Sequence, residues 1–386
     1  MNVAIFTDND FEKVNGVTTV LRSVLERVPS DVRVRIYTCD STGTDRPDYF
    51  SLRRWGIGIP YYPEMKMYAP PFLRFLRQAR ADAIDLIHLT TPGPVGLVAL
   101  SVAARLRLPL VGSFHTHLAE YTIRLSGSER LGAMMREYMR WMYGRCEQIL
   151  APSESTRRVL IESKVDPAKI RIWERGVSTE RFAPARRSTA LRRAWGVTDD
   201  QPVLVYVGRL SKEKGLSEIP VMQSALARAS VSHRVVFVGD GPMRGELQHA
   251  CPDAIFTGAL SHDEVAVAMA SSDVFLFPSR TDTAGNVVLE AQASGLPVLV
   301  TNEGGPRENI RPGHSGEVCA STGEMTAHAF RLCADHAHRA RQSFQAREFA
   351  LSRNWNLALE PLFRAYREIG GSSPGRVGLP VVRAVS

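Results

Sequence analysis

The chain has 386 residues, of which 44% are hydrophobic and 23% are charged, and its formal net charge is +8 at pH 7. This length and composition indicate a globular protein of two or three domains with a full hydrophobic core. The longest apolar run, from Pro94 to Ala104, is too short to cross a bilayer, which argues against a transmembrane helix.

The five cysteines are scattered and form no C-x-x-C pair, which argues against a disulfide-stabilised secreted domain. No basic start followed by an apolar run precedes the first strand, so no secretory signal is expected. We therefore expect a cytoplasmic protein, either free or peripheral on the inner face of the cell membrane. The modest basic excess leaves a solvated surface and an anionic partner equally open.

Short apolar runs alternate with helical patterns in the first half of the chain, which predicts a parallel, doubly wound sheet. The predicted strands are Val3–Phe6, Val34–Tyr37, Leu86–Leu89, Leu110–Phe114 and Ile149–Ala151. Asn15 and Gly16 follow the first strand, where a glycine lets the backbone approach a ligand phosphate. A plain flexible turn is the alternative.

His115 stands at the end of the fourth predicted strand, in the sequence Ser113-Phe114-His115-Thr116. The carboxyl end of a parallel strand faces the ligand crevice, so His115 is a candidate site residue. A structural histidine that bonds a loop backbone is the other interpretation. His117 shares its face, but no carboxylate or cysteine stands at ligand spacing, so no metal site is predicted.

Two helical stretches place arginines beside apolar residues. The first carries Arg74, Arg77 and Arg80 next to Phe72 and Leu73, and the second runs from 134 to 145. Such basic amphipathic helices can lie on anionic lipid. Equally, their apolar residues can belong to the core while the arginines are solvated.

Residues 179–199 are polar and arginine-rich, which predicts a linker before a second domain that opens with the strand Val203–Val207. A loop from Gly208 to Gly215 follows that strand, and the strand Val235–Val238 leads into Gly239-Asp240-Gly241. Turns of this kind after parallel strands suit a second nucleotide-binding sheet.

The stretch from Ser279 to Asn309 has the most informative pattern. Pro278 closes the strand Val274–Phe277, Gly285 and Asn286 suit a tight loop, and a helix is predicted over 287–293. The positive N-terminal end of such a helix suits a phosphate. Asp282 and Glu290 stand eight positions apart and can line the same pocket.

This stretch resembles the acidic-x7-acidic signature of retaining, nucleotide-sugar-dependent glycosyltransferases of family 4. The matches are Gly285, Glu290, Ala291, Ala293, Gly295, Pro297 and Val298. Asp282 replaces the usual first Glu and Ala284 replaces the usual Phe. The resemblance implies the GT-B fold, an α/β architecture in which two Rossmann-like domains face each other across a cleft. The implied domains are 1–178 and 200–353, with a helix at 354–369 that packs back on the first domain and a flexible tail at 370–386.

Other motifs resemble the branch of the family that glycosylates membrane lipids. They are Tyr62-Pro63-Glu64, Asp85-Leu86-Ile87-His88, the segment 91–96 and the Phe114-His115-Thr116 motif. The resemblance implies a hexose donor such as GDP-mannose or a UDP-hexose, a lipid or lipid-linked acceptor, and contact with an anionic membrane. Tyr62, His117 and the arginines at 74, 77 and 80 are the implied acceptor and membrane residues.

The resemblance also assigns roles within the site. Arg209 and Lys214, in a G-R-L-x-x-x-K-G loop, would clamp the donor diphosphate; Glu290 would bind the ribose and Asp282 the sugar. His115 would lie near the reacting centre. Further donor contacts are implied at Gly16, Gly239, Gly241, Leu260, Ala284, Gly285, Asn286 and Val287.

No side-chain nucleophile is implied, since the donor phosphate itself would take the acceptor proton. No cofactor or metal is expected, because Arg209, Lys214 and the helix N-terminus near Val287 can supply the positive charge that faces the diphosphate. The D-x-D pair Asp8-x-Asp10 lies in the first domain, and we expect its carboxylates to face solvent or the acceptor.

Three other functions stay open at this stage. The same chemistry could serve a soluble acceptor such as a sugar phosphate. The protein could instead be a non-catalytic nucleotide-binding relative, because of Asp282, or a basic nucleic-acid-binding module. A dinucleotide oxidoreductase is disfavoured because no G-x-G-x-x-G follows a strand.

Overall fold

The computed structural model describes residues 1–11, 16–41, 43–59 and 62–371, without the side chains at 59, 62–66, 124 and 125. Two sheets, of eight and six strands, form the centres of two α/β domains. The fold is therefore the predicted pair of Rossmann-like domains.

The first sheet has the strand order β10-β9-β8-β7-β1-β2-β4-β3, and only β3 runs antiparallel to its neighbour. Its strands are β1 (Asn2–Phe6), β2 (Arg33–Asp40), β3 (Thr44–Arg46), β4 (Tyr49–Arg53), β7 (Leu86–Leu89), β8 (Leu110–Ser113), β9 (Gln148–Ala151) and β10 (Ile170–Ile172). A separate hairpin consists of β5 (Gly56–Ile59) and β6 (Tyr62–Tyr68).

Helices cover both faces of this sheet, as parallel strands that are apolar on both sides require. They are α1 (Gly16–Leu25), α2 (Phe72–Ala81), α3 (Pro94–Leu106), α4 (Leu118–Ser126), α5 (Glu129–Tyr143) and α6 (Glu154–Glu162).

The second sheet has the order β13-β12-β11-β14-β15-β16 and is wholly parallel. Its strands are β11 (Val203–Val207), β12 (Arg234–Val238), β13 (Ile255–Gly258), β14 (Val274–Phe277), β15 (Val298–Thr301) and β16 (Gly316–Cys319). The strand order reverses between β11 and β14. Ligands of doubly wound sheets bind at the carboxyl ends of the strands at such a reversal.

The helices of the second half are α7 (Thr189–Ala194), α8 (Glu218–Arg228), α9 (Arg244–Ala250), α10 (His262–Ala270), α11 (Asn286–Ala293), α12 (Thr322–Ala334), α13 (His336–Leu351) and α14 (Trp355–Gly371). The last helix, α14, leaves the second domain and packs against the first sheet. Its Trp355, Leu362 and Tyr366 are buried in one cluster with Ile5 and Trp173.

The structure adds elements that the sequence did not predict. The predicted linker contains α7, and Arg192 in that helix is buried in an ion pair with Asp273 of the second domain, 2.9 Å away. Gly370, at which the tail was expected to begin, lies in α14, which extends to Gly371; residues 372–386 lie outside the described part. The strands β3 to β6, β10, β13 and β16 were not predicted, since they are short or lack a continuous apolar run.

Candidate active site

The loops after β11 and β14 meet at the strand-order reversal of the second domain. The first loop carries Arg209 and Lys214, and the second runs from Pro278 to Gly285 into α11. The two loops touch directly, because the hydroxyl of Thr281 donates to the backbone oxygen of Glu213 at 3.2 Å. The two motifs found separately in the sequence therefore form one site.

Lys214 and Asp282 form an ion pair at the centre of this site. Nζ of Lys214 lies 2.8 Å and 2.9 Å from the two carboxylate oxygens of Asp282, and both side chains are at most one-fifth exposed. Burial lowers the pKa of Lys214, but the charge and hydrogen bonds of Asp282 together with Tyr121 and Tyr206 raise that pKa above the ordinary value, so the amine stays charged.

Tyr121 on α4 reaches this pair from the first domain. Its pKa is raised, chiefly by burial, and Lys214 and Asp282 are close enough to act on it in opposite directions. The sequence analysis missed Tyr121, since a tyrosine inside an amphipathic helix is a common core residue. Its position shows that the site is formed by both domains.

The glycine turns after β11 and β12 pack against each other. A Cβ on Gly239 would lie 2.0 Å from the backbone oxygen of Gly208, and one on Gly241 would lie 2.4 Å from that of Leu210. Gly239 also has a φ of 132°, so both sterics and backbone conformation require glycine there. These turns hold the backbone at Arg209, whose oxygen accepts a 2.9 Å hydrogen bond from Tyr206.

Helix α11 begins at the same crevice. Gly285 precedes it with a φ of 64°, which glycine adopts without strain. The side-chain amide of Asn286 donates to the backbone oxygen of Gly16 at 3.3 Å. This bond connects the glycine turn of the first domain to the start of α11 in the second domain. Ala284 is buried, and Val287 packs against the core of the second domain.

Glu290 lies one helical turn into α11 and has an unforeseen partner. His262, the first residue of α10, places Nε2 3.3 Å from its carboxylate, and its ring packs edge-on against Phe182. The Ser261–Glu264 capping box fixes the start of α10 and thereby the position of His262. Leu260, just before it, is half-buried against the core.

His115 is held at the domain boundary by bonds on both ring nitrogens. Nε2 lies 2.7 Å from the hydroxyl of Ser113, and Nδ1 lies 3.2 Å from Nη2 of Arg175. Its backbone oxygen accepts a 2.9 Å bond from Thr283 of the second domain. Burial, with Arg175 and His88 nearby, lowers the pKa of His115 well below the ordinary value, so the ring is neutral.

His117 stands at the start of α4 with its ring against Phe114. Burial lowers its pKa to about 4, against opposing effects of Glu120 and Asp282. Within the described ranges, no group of three or more potential ligands that could hold a metal ion occurs.

Asp8, the first residue of the D-x-D pair, is bonded within the first domain. Asp8 is half-buried and accepts hydrogen bonds from the backbone nitrogens of Gly93 and Val95, at 3.1 Å and 2.8 Å, and from the Thr91 hydroxyl at 2.7 Å. Its carboxylate thus caps the first turn of α3, where an anion is favoured. The Asp8 carboxylate is therefore bonded within the first domain and is not free in solvent.

The predicted membrane residues lie on the first domain. Arg74, Arg77 and Arg80 are exposed on α2 beside the exposed Leu73, while Phe75 is fully buried. On α5, Met134 and Trp141 are exposed, and the guanidinium of Arg145 lies 4.1 Å from the Trp141 ring centre. Tyr62 lies in β6, but its side chain is outside what the structure describes. No helix among the described residues is both long and apolar enough to cross a bilayer.

Two Rossmann-like domains that build one ligand crevice between them define the GT-B class of nucleotide-sugar-dependent glycosyltransferases. Solved structures of similar fold include sucrose-phosphate synthase from Thermosynechococcus elongatus, with a TM-score of 0.79 and 18% identity over 96% of this chain and 100% of that one. Anabaena HepE in complex with UDP and glucose gives 0.75 and 17% over 95% and 100%.

The chain belongs to glycosyltransferase family 4. Residues 14–181 match the family model described as Glycosyltransferase Family 4, and residues 201–335 match the one described as Glycosyl transferases group 1. A GDP-mannose-dependent alpha-mannosyltransferase of Mycobacterium tuberculosis is 32% identical over 96% of this chain and 97% of its own length. The sulfoquinovosyl transferase of Arabidopsis thaliana is 34% identical over 67% of this chain and 50% of its own.

Proposed function

We propose that this glycosyltransferase moves a hexose, mannose in particular, from a GDP-sugar to a hydroxyl of a membrane lipid, with retention at the anomeric carbon. The Lys214–Asp282 pair at the junction of the two crevice loops is the observation that carries this proposal. A donor that enters there meets a fixed cation, a carboxylate for sugar hydroxyls and the amino end of α11.

The choice of GDP-mannose is supported by two relatives. The mycobacterial enzyme above and a corynebacterial one are both named GDP-mannose-dependent alpha-mannosyltransferases, the second being 31% identical over 82% of this chain. In our proposal Glu290 binds the ribose hydroxyls and His262 orients its carboxylate. Gly239, Gly241 and Leu260 border the nucleotide.

The reaction breaks the bond between the sugar and the diphosphate, so negative charge grows on the leaving phosphate. Lys214, Arg209 and the amino end of α11 stabilise that charge without a metal. On donor binding Lys214 exchanges part of its contact with Asp282 for phosphate oxygens, which frees the carboxylate for the sugar.

The acceptor proton goes to the leaving phosphate rather than to a protein base. His115 supports this view because both of its ring nitrogens are already bonded within the protein. The acceptor oxygen then attacks from the face that the phosphate leaves, which preserves the anomeric configuration.

A lipid acceptor is supported by relatives and by surface chemistry. Two alpha-monoglucosyldiacylglycerol synthases match this chain, at 26% and 24% identity over 78% and 86% of its length. The exposed arginines of α2 can meet anionic headgroups while Leu73 enters the interface. The protein would then act as a peripheral enzyme on the membrane that carries its acceptor.

The test is transfer of radiolabelled mannose from GDP-mannose to vesicles that contain diacylglycerol or phosphatidylinositol. UDP-glucose serves as the competing donor, and mannose and sugar phosphates serve as soluble acceptors. We expect an α-mannosyl lipid, identified by proton NMR, whose formation survives EDTA. Transfer only to soluble acceptors would refute the lipid assignment, and a β-linked product would refute retention.

An activity that is lost in a chelator and restored by Mg²⁺ or Mn²⁺ would refute the proposal that the diphosphate is stabilised without a metal.

The Asp282→Asn variant tests the ion pair, since it keeps the shape of the side chain and removes the carboxylate. We expect it to bind GDP in a thermal-shift assay and to lose transfer. A variant that transfers mannose as fast as the wild type would remove the pair from the mechanism.

A further inference from the structure

A continuous chain of hydrogen bonds crosses the core of the first domain and ends at the active-site crevice. It runs from Tyr366 on α14 through His88 on β7 and Ser113 on β8 to His115, and then to Arg175 beyond β10. The oxygen of Tyr366 lies 2.6 Å from Nδ1 of His88, and Nε2 of His88 lies 2.9 Å from the hydroxyl of Ser113. The remaining two links are the bonds of His115 described above.

Only one end of this chain has a fixed hydrogen-bonding role. A guanidinium has five N–H donors and no acceptor, and it is always charged in a protein. Arg175 must therefore donate to Nδ1 of His115, so the proton of that ring stands on Nε2. His115 then donates to Ser113, Ser113 donates to Nε2 of His88, and His88 donates from Nδ1 to Tyr366.

The surroundings of Arg175 do not explain it as a structural ion pair. The side chain is 3% exposed, and no carboxylate among the described residues pairs with it. Its other terminal nitrogen, Nη1, is buried without a hydrogen-bond partner, and its guanidinium carbon lies 4.5 Å from the Trp173 ring centre. Burying a guanidinium without a carboxylate partner costs free energy, and the hydrogen bond that the structure gives it goes to His115.

The hydrogen bond from Thr283 to the backbone oxygen of His115 links this histidine to the donor-site loop. Thr283 adjoins Asp282 in the donor-site loop, and Ser153 of the first domain donates to the backbone oxygen of the same threonine at 2.9 Å. The donor-site loop is therefore bonded to the backbone of the same residue whose ring Arg175 contacts. A doubly protonated ring would lose the bond from Arg175, because two donors would then face each other.

We propose that Arg175 is a positioning residue for sugar transfer. It fixes His115 as the neutral Nε2-protonated imidazole, and through the His115 carbonyl it holds Thr283 and the adjacent Asp282 in place. This inference rests on the proposed function only for its effect on activity. The titratable groups that face His115 are Arg175 and His88, and Tyr366 is the next group along the chain of hydrogen bonds. The hydroxyl of Tyr143 bonds the backbone oxygen of Ser113 at 3.1 Å.

The proposal is tested first without substrate, by ¹⁵N NMR of the histidine side chains in the full-length protein. In the wild type we expect an unprotonated Nδ1 at His115 and no titration of that ring between pH 8 and pH 5. Arg175→Met removes the donor and the like charge, so the midpoint of His115 should rise by about one unit or more. Arg175→Lys keeps a cationic donor and should preserve the wild-type tautomer.

The second readout is the pH dependence of mannose transfer. In Arg175→Met the acid limb of kcat should move to higher pH together with the His115 midpoint, so the loss of activity should be largest at the lowest pH and shrink as the pH rises. Arg171→Met, an equal change on the exposed side of β10, is the control and should leave the profile unchanged. A loss that is equal at every pH, with His115 still not titrating, would overturn the proposal.

If Arg175→Met does not fold, Ser113→Ala is the second variant. It interrupts the chain of hydrogen bonds between His115 and His88 without changing the net charge of the protein. Its expected result is faster exchange of the His115 Nε2 proton with water. An Nδ1-protonated His115 in the wild type would refute the proposal whatever the activity. The expected NMR result in a protein that transfers no sugar would instead refute the proposed function alone.

Discussion

The carboxylate of Glu308 in the second domain accepts a hydrogen bond from the backbone nitrogen of Glu154, 2.6 Å away, at the first turn of α6 in the first domain. The nitrogen of Ser155 lies 2.7 Å from the other carboxylate oxygen. A negative charge at the amino end of a helix is favourable, and these amides have no partner within the helix. Glu308 therefore holds the two domains together on one side of the crevice.

We predict that Glu308→Ala exposes the first turn of α6. Loss of a capping side chain costs about 1 kcal/mol, so hydrogen exchange at the amides of Glu154 and Ser155 should accelerate about fivefold. Glu303→Ala is the control, because that carboxylate pairs with Arg280 in the same region and is exposed. Equal protection of both amides in wild type and Glu308→Ala would contradict the bridging role.

Lys214→Ala should reduce kcat by about 10²-fold or more, as expected when a donor to developing negative charge is lost. Lys212→Ala, in the same loop but exposed, should retain wild-type turnover. Steady-state kinetics with GDP-mannose measure both. Equal kcat values in wild type and Lys214→Ala would remove Lys214 from the clamp.

Asp282→Glu restores the usual family residue but lengthens the side chain by one methylene. Both oxygens of Asp282 already lie within 2.9 Å of Nζ of Lys214, so a longer side chain must displace the amine or the sugar. We predict a loss of kcat/KM of about tenfold, which corresponds to about 1.4 kcal/mol. A gain in activity would show that Asp282 is a degraded feature rather than an adapted one.

Stability should fall with acid because the first domain buries neutral histidines. Burial lowers the pKa of His88 to about 3 and that of His117 to about 4, and the pKa of His115 is also low. Unfolded histidine titrates near about 6.5, so below that pH the unfolded chain binds more protons than the folded chain. The stabilisation is complete above that pH and is lost as the pH falls toward the folded values.

Each of these histidines should contribute a slope of about 1.4 kcal/mol per pH unit between about pH 6 and its folded pKa. Urea unfolding at a series of pH values from 7.5 to 5 measures the sum. His88→Gln should reduce the slope by the share of one histidine, even where it lowers the stability at neutral pH. An unchanged slope would mean that His88 does not bind a proton on unfolding.

Replacing Arg74, Arg77 and Arg80 together by glutamine should weaken retention on anionic vesicles, since the attraction is Coulombic and screened by salt. The matched control is the triple change of Arg193, Arg228 and Arg341 to glutamine, which removes the same charge from exposed positions of the second half. Sedimentation with vesicles at low and high salt measures both. An equal loss of retention in the two variants would show that only the net charge of the protein matters. Equal binding of the wild type to neutral and anionic vesicles would indicate an apolar contact.

The sequence by itself determined the strands that carry the site and the loops that follow them. The strands Leu86–Leu89, Val203–Val207, Val235–Val238 and Val274–Phe277 end where predicted, because a strand buried on both faces must be a continuous apolar run. The turn at Gly285 and the helix that carries Glu290 were also predicted from the sequence, since glycine turns and helix starts depend mainly on neighbouring residues.

Only the tertiary structure decided which side chains meet. Lys214 and Asp282 are 68 positions apart, and Glu308 reaches a helix 154 positions away. No local pattern encodes such pairs, because the packing of two sheets and two domains sets them. For the same reason Asp8 resembled a free carboxylate until the fold placed it on the amino end of α3. Arg175 carried no signal in its neighbours, and its role follows from the burial that brings it to His115.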